Sequence, residues 1–127
     1  MEFTLTTPIK ASAKAIYEAW LSRERHSEMT GGAAEISAEP GTVFTAWDGY
    51  IEGKIISLEP YQRIFQSWRT TEFTNEEEDS FVEILLSENG ETTELTLIHT
   101  NLPAHGQQYV KGWDDFYFQP MQAYFSS

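Results

Sequence analysis

The sequence contains no cysteine, which removes disulfide bridges, thiol nucleophiles and thiolate-held zinc together and suits a reducing compartment. Positive charge is also scarce: 8 Lys and Arg stand against 20 Asp and Glu, a net charge of −12. Nucleic acids and anionic bilayers are gripped by clustered basic side chains, so charge argues against both partners. No apolar run approaches the roughly 20 residues that span a bilayer. The opening Met1-Glu2-Phe3-Thr4-Leu5 has neither the basic nor the apolar stretch of an export signal, so the expected location is the cytoplasm. The three histidines, His26, His99 and His105, never fall at His-x-x-x-His spacing, and no metal site is expected. Neither a Gly-x-Ser-x-Gly elbow nor a phosphate-cradling glycine loop occurs, which leaves no catalytic triad to argue for and no cofactor to expect.

What the chain has in quantity is aromatic surface, at 14% of 127 residues within a hydrophobic fraction of 40%. A length of this order buries roughly two-thirds of the unfolded chain's surface, and residues 1–127 read as one domain. The richest stretch is Ala104 to Phe125. At about 100° per residue, Tyr109, Val110, Trp113, Phe116, Tyr117, Met121 and Tyr124 share a stripe, and Gln108, Lys111, Asp115, Gln119 and Gln122 lie opposite. Pro120 interrupts this helix and predicts a kink near Phe116.

The rest supplies the stripe's partner. Phe3 to Thr7 alternates as an opening strand, ended near Pro8. Ser12 and Ser22 read as N-caps of two short helices, Ala13 to Trp20 and a second one carrying His26 and Met29 that Gly31-Gly32 stops. Val43–Trp47 and Tyr50–Leu58 flank Asp48-Gly49, the pair favoured by two-residue type I′ hairpins. Arg63–Thr70 follows the turn at Glu59-Pro60-Tyr61-Gln62. Phe81–Leu86 and Thr93–Thr100 then join across Asn89-Gly90. The acidic segment Thr74–Asp79 lacks the glycine-turn spacing of a calcium loop and reads as a solvated connection.

Several of these segments resemble one family. They are Ala15-Ile16-Tyr17-Glu18-Ala19-Trp20, Gly49-Tyr50-Ile51-Glu52-Gly53-Lys54-Ile55, Arg63-Ile64-Phe65-Gln66-Ser67-Trp68-Arg69, Thr93-Glu94-Leu95-Thr96-Leu97-Ile98-His99-Thr100 and Gly112-Trp113. In order and spacing the chain resembles the START/Bet v 1-like (SRPBCC) superfamily, and within it the branch similar to the activator of Hsp90 ATPase. The resemblance implies an α+β helix-grip fold: a curved antiparallel sheet of about six or seven strands wrapped around a long C-terminal helix, with two short helices after the first strand. It also implies an apolar cavity between sheet and helix. Members bind lipids, sterols, polyketides or hormones, some catalyse cyclisation or dehydration, and the eukaryotic co-chaperone has a second domain with no counterpart here.

Strand alternation then suggests the lining. With Arg63 and Arg69 outward, Ile64, Gln66 and Trp68 face in. With Glu94 outward, Thr93, Leu95, Leu97 and His99 form a second inward row. Tyr109, Trp113, Phe116 and Tyr117 face them from the helix, while Trp20, His26 and Met29 are placed at the cavity entrance. Apolar walls with a few polar groups suit a small hydrophobic or amphipathic ligand; the same residues would equally build an ordinary core. The leading expectation is therefore a non-enzymatic ligand-binding protein. A chaperone or other protein partner is the alternative, and acid–base chemistry at His99 a third reading.

Overall fold

The computed structural model describes residues 1–126. Strand β1 (Phe3–Ile9) opens the chain, followed by helices α1 (Ala13–Trp20) and α2 (Arg23–Thr30). Strands β2 (Val43–Ala46), β3 (Ile51–Glu59), β4 (Arg63–Thr70), β5 (Ser80–Asn89) and β6 (Thr92–Thr100) come next. The C-terminal helix is built of α3 (Gln108–Trp113), a π-turn at Asp114–Phe118 and α4 (Gln119–Ser126). All six strands form one antiparallel sheet in the order β1-β6-β5-β4-β3-β2, curved around that helix in the helix-grip arrangement. No helix among the described residues is long and apolar enough to cross a membrane.

Local chemistry accounts for most boundaries. Ser12 Oγ accepts the Ala15 N–H and Ser22 Oγ accepts the Arg25 N–H, so each caps its helix. Gly31 ends α2 at φ 89°, a left-handed position that glycine adopts without steric cost. Gly53 answers a different need: a Cβ there would lie 2.0 Å from the Ser67 carbonyl oxygen, so β3 and β4 approach this closely only without a side chain. The inward rows behave as alternation requires. Ile64, Gln66 and Trp68 are buried on β4, as are Thr93, Leu95, Leu97 and His99 on β6.

Two sequence expectations need correction, and one strand end moves slightly. β1, expected to end near Pro8, runs through it and ends one residue later at Ile9. It is an edge strand, where a residue without an N–H is tolerated. The β2–β3 connection is not a two-residue turn, since Ala46 pairs with Ile51 and leaves Trp47-Asp48-Gly49-Tyr50 as a four-residue loop. Tertiary contacts override the local preference. Asp48 bonds the backbone of Ala33 twice, N–H to carbonyl at 3.0 Å and carboxylate to N–H at 3.1 Å, and Trp47 leaves the strand at φ 50° to meet Phe116.

The second correction concerns the long helix. Gln119 N–H bonds the Asp114 carbonyl five residues back, and Pro120 has no N–H to restore the ordinary ladder. One residue is thereby added to the turn, and the aromatic stripe shifts phase. Phe118 is buried in place of Phe116, which is 54% exposed.

Candidate functional site

Between the sheet and the first half of the C-terminal helix lies a cavity of about 350 Å³, partly open to solvent. Trp68 on β4 and Ile51 on β3 form its floor, Tyr109, Gly112, Trp113, Phe116 and Tyr117 its helical wall, and Trp47 and Tyr50 its rim. Seven of the nine lining residues are aromatic. They brace one another edge to face: Trp68 and Tyr109 lie 4.9 Å apart at 81°, and Trp47 and Phe116 lie 5.4 Å apart at 71°. Such pairs hold geometry as well as bury area.

Gly112 is the informative gap in this wall. It sits inside a helix, where glycine costs about 1 kcal/mol relative to alanine. Apart from its own helix backbone and chain neighbours, nothing among the described residues lies within 4 Å of where its Cβ would be. No neighbouring element requires this glycine, and it lines the cavity as bare backbone. Gly32 behaves oppositely: a Cβ there would stand 2.5 Å from Trp47 Cε3, so the bare backbone seats the indole at the rim.

Of the nine residues expected to line the pocket, Trp68, Tyr109, Trp113, Phe116 and Tyr117 do so, while Ile64, Gln66, Leu97 and His99 are buried elsewhere in the core. Trp20, His26 and Met29 do not stand at an entrance. They are 2%, 2% and 3% exposed, packed behind the helical wall. The buried polar groups expected to orient a ligand instead tie the helix to the rest of the fold. Trp113 Nε1–H donates to His99 Nδ1 at 3.0 Å, so His99 carries its proton on Nε2, facing Ser80 Oγ at 2.8 Å; Ser80 in turn donates to the Trp68 carbonyl. Both imidazole nitrogens are occupied, and burial pushes the His99 pKa down to about 3. His99 is thus closed to acid–base work in the cavity.

His26 follows the same logic. Its Nδ1–H donates to the Trp20 carbonyl at 2.8 Å, and its Nε2 accepts the Tyr117 hydroxyl at 3.0 Å. Burial lowers its pKa, against a smaller opposing effect of the carbonyl bond. Trp20 Nε1–H donates to Gln66 Oε1 at 3.3 Å behind the stack of Trp20 on Trp113. Among the polar groups of the lining, Tyr109 Oη bonds Thr70 Oγ1 at 2.6 Å, and the Tyr50 hydroxyl donates to the Glu72 carboxylate. Burial raises the pKa of both phenols, with nearby carboxylates adding to the effect. The Trp47 indole N–H is the one buried side-chain polar atom without a partner among the described residues. No group of three metal-ligating side chains converges among them either.

Sequence reasoning did not assign Trp47, Tyr50, Ile51 and Gly112 to the lining. Trp47 and Tyr50 face the cavity from a loop that the turn propensity misread, and Ile51 from the first position of β3 beside it. Gly112 was legible in principle, because a glycine inside an aromatic helical stripe asks for a reason.

A curved sheet closed by one helix over an aromatic cavity defines the class as a helix-grip domain. The pattern of the family described as activator of Hsp90 ATPase homolog 1-like protein matches residues 10–126, and the chain belongs to that family. An uncharacterized protein of Schizosaccharomyces pombe is 24% identical over 126 residues, an alignment that covers 91% of this chain but 34% of the relative. The chain therefore spans about a third of that relative's length. Among solved structures, PFC0360w, an HSP90 activator from Plasmodium falciparum, superposes with a TM-score of 0.89 at 20% identity, covering 99% of this chain and 96% of that one. CalU16 from Micromonospora echinospora superposes with a TM-score of 0.76 at 24% identity, covering 94% and 75%. The Aha1 dimer from Colwellia psychrerythraea gives 0.81 at 15%, covering 97% and 95%. At these identities the likeness carries the fold alone.

Proposed function

We propose that the protein binds a small apolar or aromatic molecule in the cavity between its sheet and C-terminal helix, without catalysing its conversion. One observation carries this reading: seven aromatic rings surround about 350 Å³ that they do not fill, beside an interior glycine with open space over it. Pockets of roughly 300–1,000 Å³ suit small ligands. The test is calorimetric titration with small aromatic probes such as indole, against the protein and its Phe116→Ala variant. Phe116 lies outside the core, so its removal spares the fold while taking away one wall. Affinity falls about tenfold, the scale of a truncated aromatic anchor. Unchanged affinity would place any binding elsewhere.

A second reading has its own support. Phe116 and Tyr50 are 54% and 38% exposed beside Trp47, an aromatic rim of the kind that marks protein contacts. The family and the Plasmodium relative point to an Hsp90-type chaperone as partner. Stimulation of such a chaperone's ATPase that is lost with Phe116→Ala, with no small probe binding, would favour this role over the cavity.

A further inference from the structure

We propose that the cavity's ligand is a small organic cation, an amine or quaternary ammonium whose apolar groups lie against the aromatic walls. The proposal rests on the cavity reading and narrows its ligand class. Among the described residues no Lys, Arg or His lines the cavity, and seven of the nine lining residues are aromatic. Ring faces carry the negative end of the aromatic quadrupole and attract cations brought within about 6 Å. Among the described residues, the charged groups that stand at the rim without a cationic partner of their own are carboxylates. Glu72 accepts the Tyr50 hydroxyl at the rim, and burial raises the Tyr109 pKa with Glu72 and, more weakly, Glu77 adding to it. Asp48 sits in the rim loop.

Nearby cations are already engaged. Lys111, next to Gly112, pairs with Asp115. Arg69 points away from its inward neighbour Trp68, to Asp79 at 2.8 Å and to the carbonyls of Thr74 and Glu77. A net charge of −12 draws cations from a distance as well. A neutral guest gains from none of this, and an anion is repelled.

The experiment is calorimetric titration with two probes of one shape, (3-hydroxyphenyl)trimethylammonium and its neutral counterpart 3-tert-butylphenol, at low and high salt. The cation binds about three- to tenfold tighter, between the worth of an exposed and of a fully desolvated cation–π contact, as suits a partly open cavity. Salt weakens the cation and narrows the gap. Glu72→Gln, which keeps a partner for the Tyr50 hydroxyl, narrows it too. If the neutral probe binds as tightly as the cation, the charge preference is wrong while the cavity reading stands. If neither binds at millimolar concentration, both fall.

Discussion

Filling the cavity from Gly112 separates function from stability in a single substitution. Gly112→Leu gains on two counts. Replacing an interior helical glycine recovers about 1 kcal/mol of backbone entropy, and the new side chain moves into space that no neighbouring element among the described residues enters within 4 Å of its Cβ. Full burial of a leucine contributes about 1.5–3 kcal/mol. The cavity is partly open, so about half of that is realised, and the sum is about 2 kcal/mol of added stability. For a chain of 127 residues this raises Tm by roughly 5–10 °C. The same side chain occupies the ligand's place, so calorimetric binding of small aromatic probes disappears. Stability up and binding lost is a combination that ordinary core packing does not give. A variant that is destabilised, or that binds as before, would refute the placement of Gly112 as bare backbone in the wall of a binding cavity.

Other outcomes follow from the polar layer behind the cavity and from the sheet. His99→Ala strands the Trp113 indole N–H and leaves a void, costing about 3–5 kcal/mol in urea unfolding; a loss under 1 kcal/mol would show that the bond carries nothing. His99 is held near pKa 3 in the folded protein and titrates near its usual 6.5 once unfolded. The unfolded chain therefore takes up a proton that the folded one refuses. The stabilisation is full above about pH 6.5 and drains away as pH falls toward 3, by several kcal/mol from this residue, with His26 shifted the same way. NMR at pH 5 finds the His99 ring neutral and protonated on Nε2; titration near 6.5 would contradict the burial argument. Gly53→Ala forces a Cβ against the Ser67 carbonyl, and the chain loses at least 2 kcal/mol or fails to fold, as circular dichroism melts will show.

Residues whose own chemistry sets their neighbourhood were readable before any coordinates. Ser12 and Ser22 cap helices by local bonds, and Arg63 and Arg69 orient a whole strand through a period of two. Such elements in order give a sheet facing one long helix, and the family resemblance implies the helix-grip fold. The site was half legible: Trp68, Tyr109, Trp113 and Tyr117 point where alternation and the helical stripe place them. What escaped depends on distant partners. Trp47 turns out of its strand because Gly32 and Phe116 receive it, and Asp48-Gly49 gives up its two-residue turn for bonds to Ala33. Phe116 stays at the rim only because the π-turn ahead of Pro120 shifts the stripe. His99, Gln66 and His26 are polar residues at inward positions, where periodicity gives burial but not partners. They bond to Trp113, Trp20 and Tyr117 rather than facing a guest.

The four indole N–H resonances of Trp20, Trp47, Trp68 and Trp113 report on the cavity directly. Trp47, Trp68 and Trp113 line it, and Trp20 stands behind the wall. In a titration with a small aromatic cation, the three lining indoles shift together along one binding curve, Trp20 moves least, and Gly112→Leu abolishes the shifts. Indole resonances that stay in place at millimolar probe, or that shift equally in the filled variant, would contradict a binding site between sheet and helix.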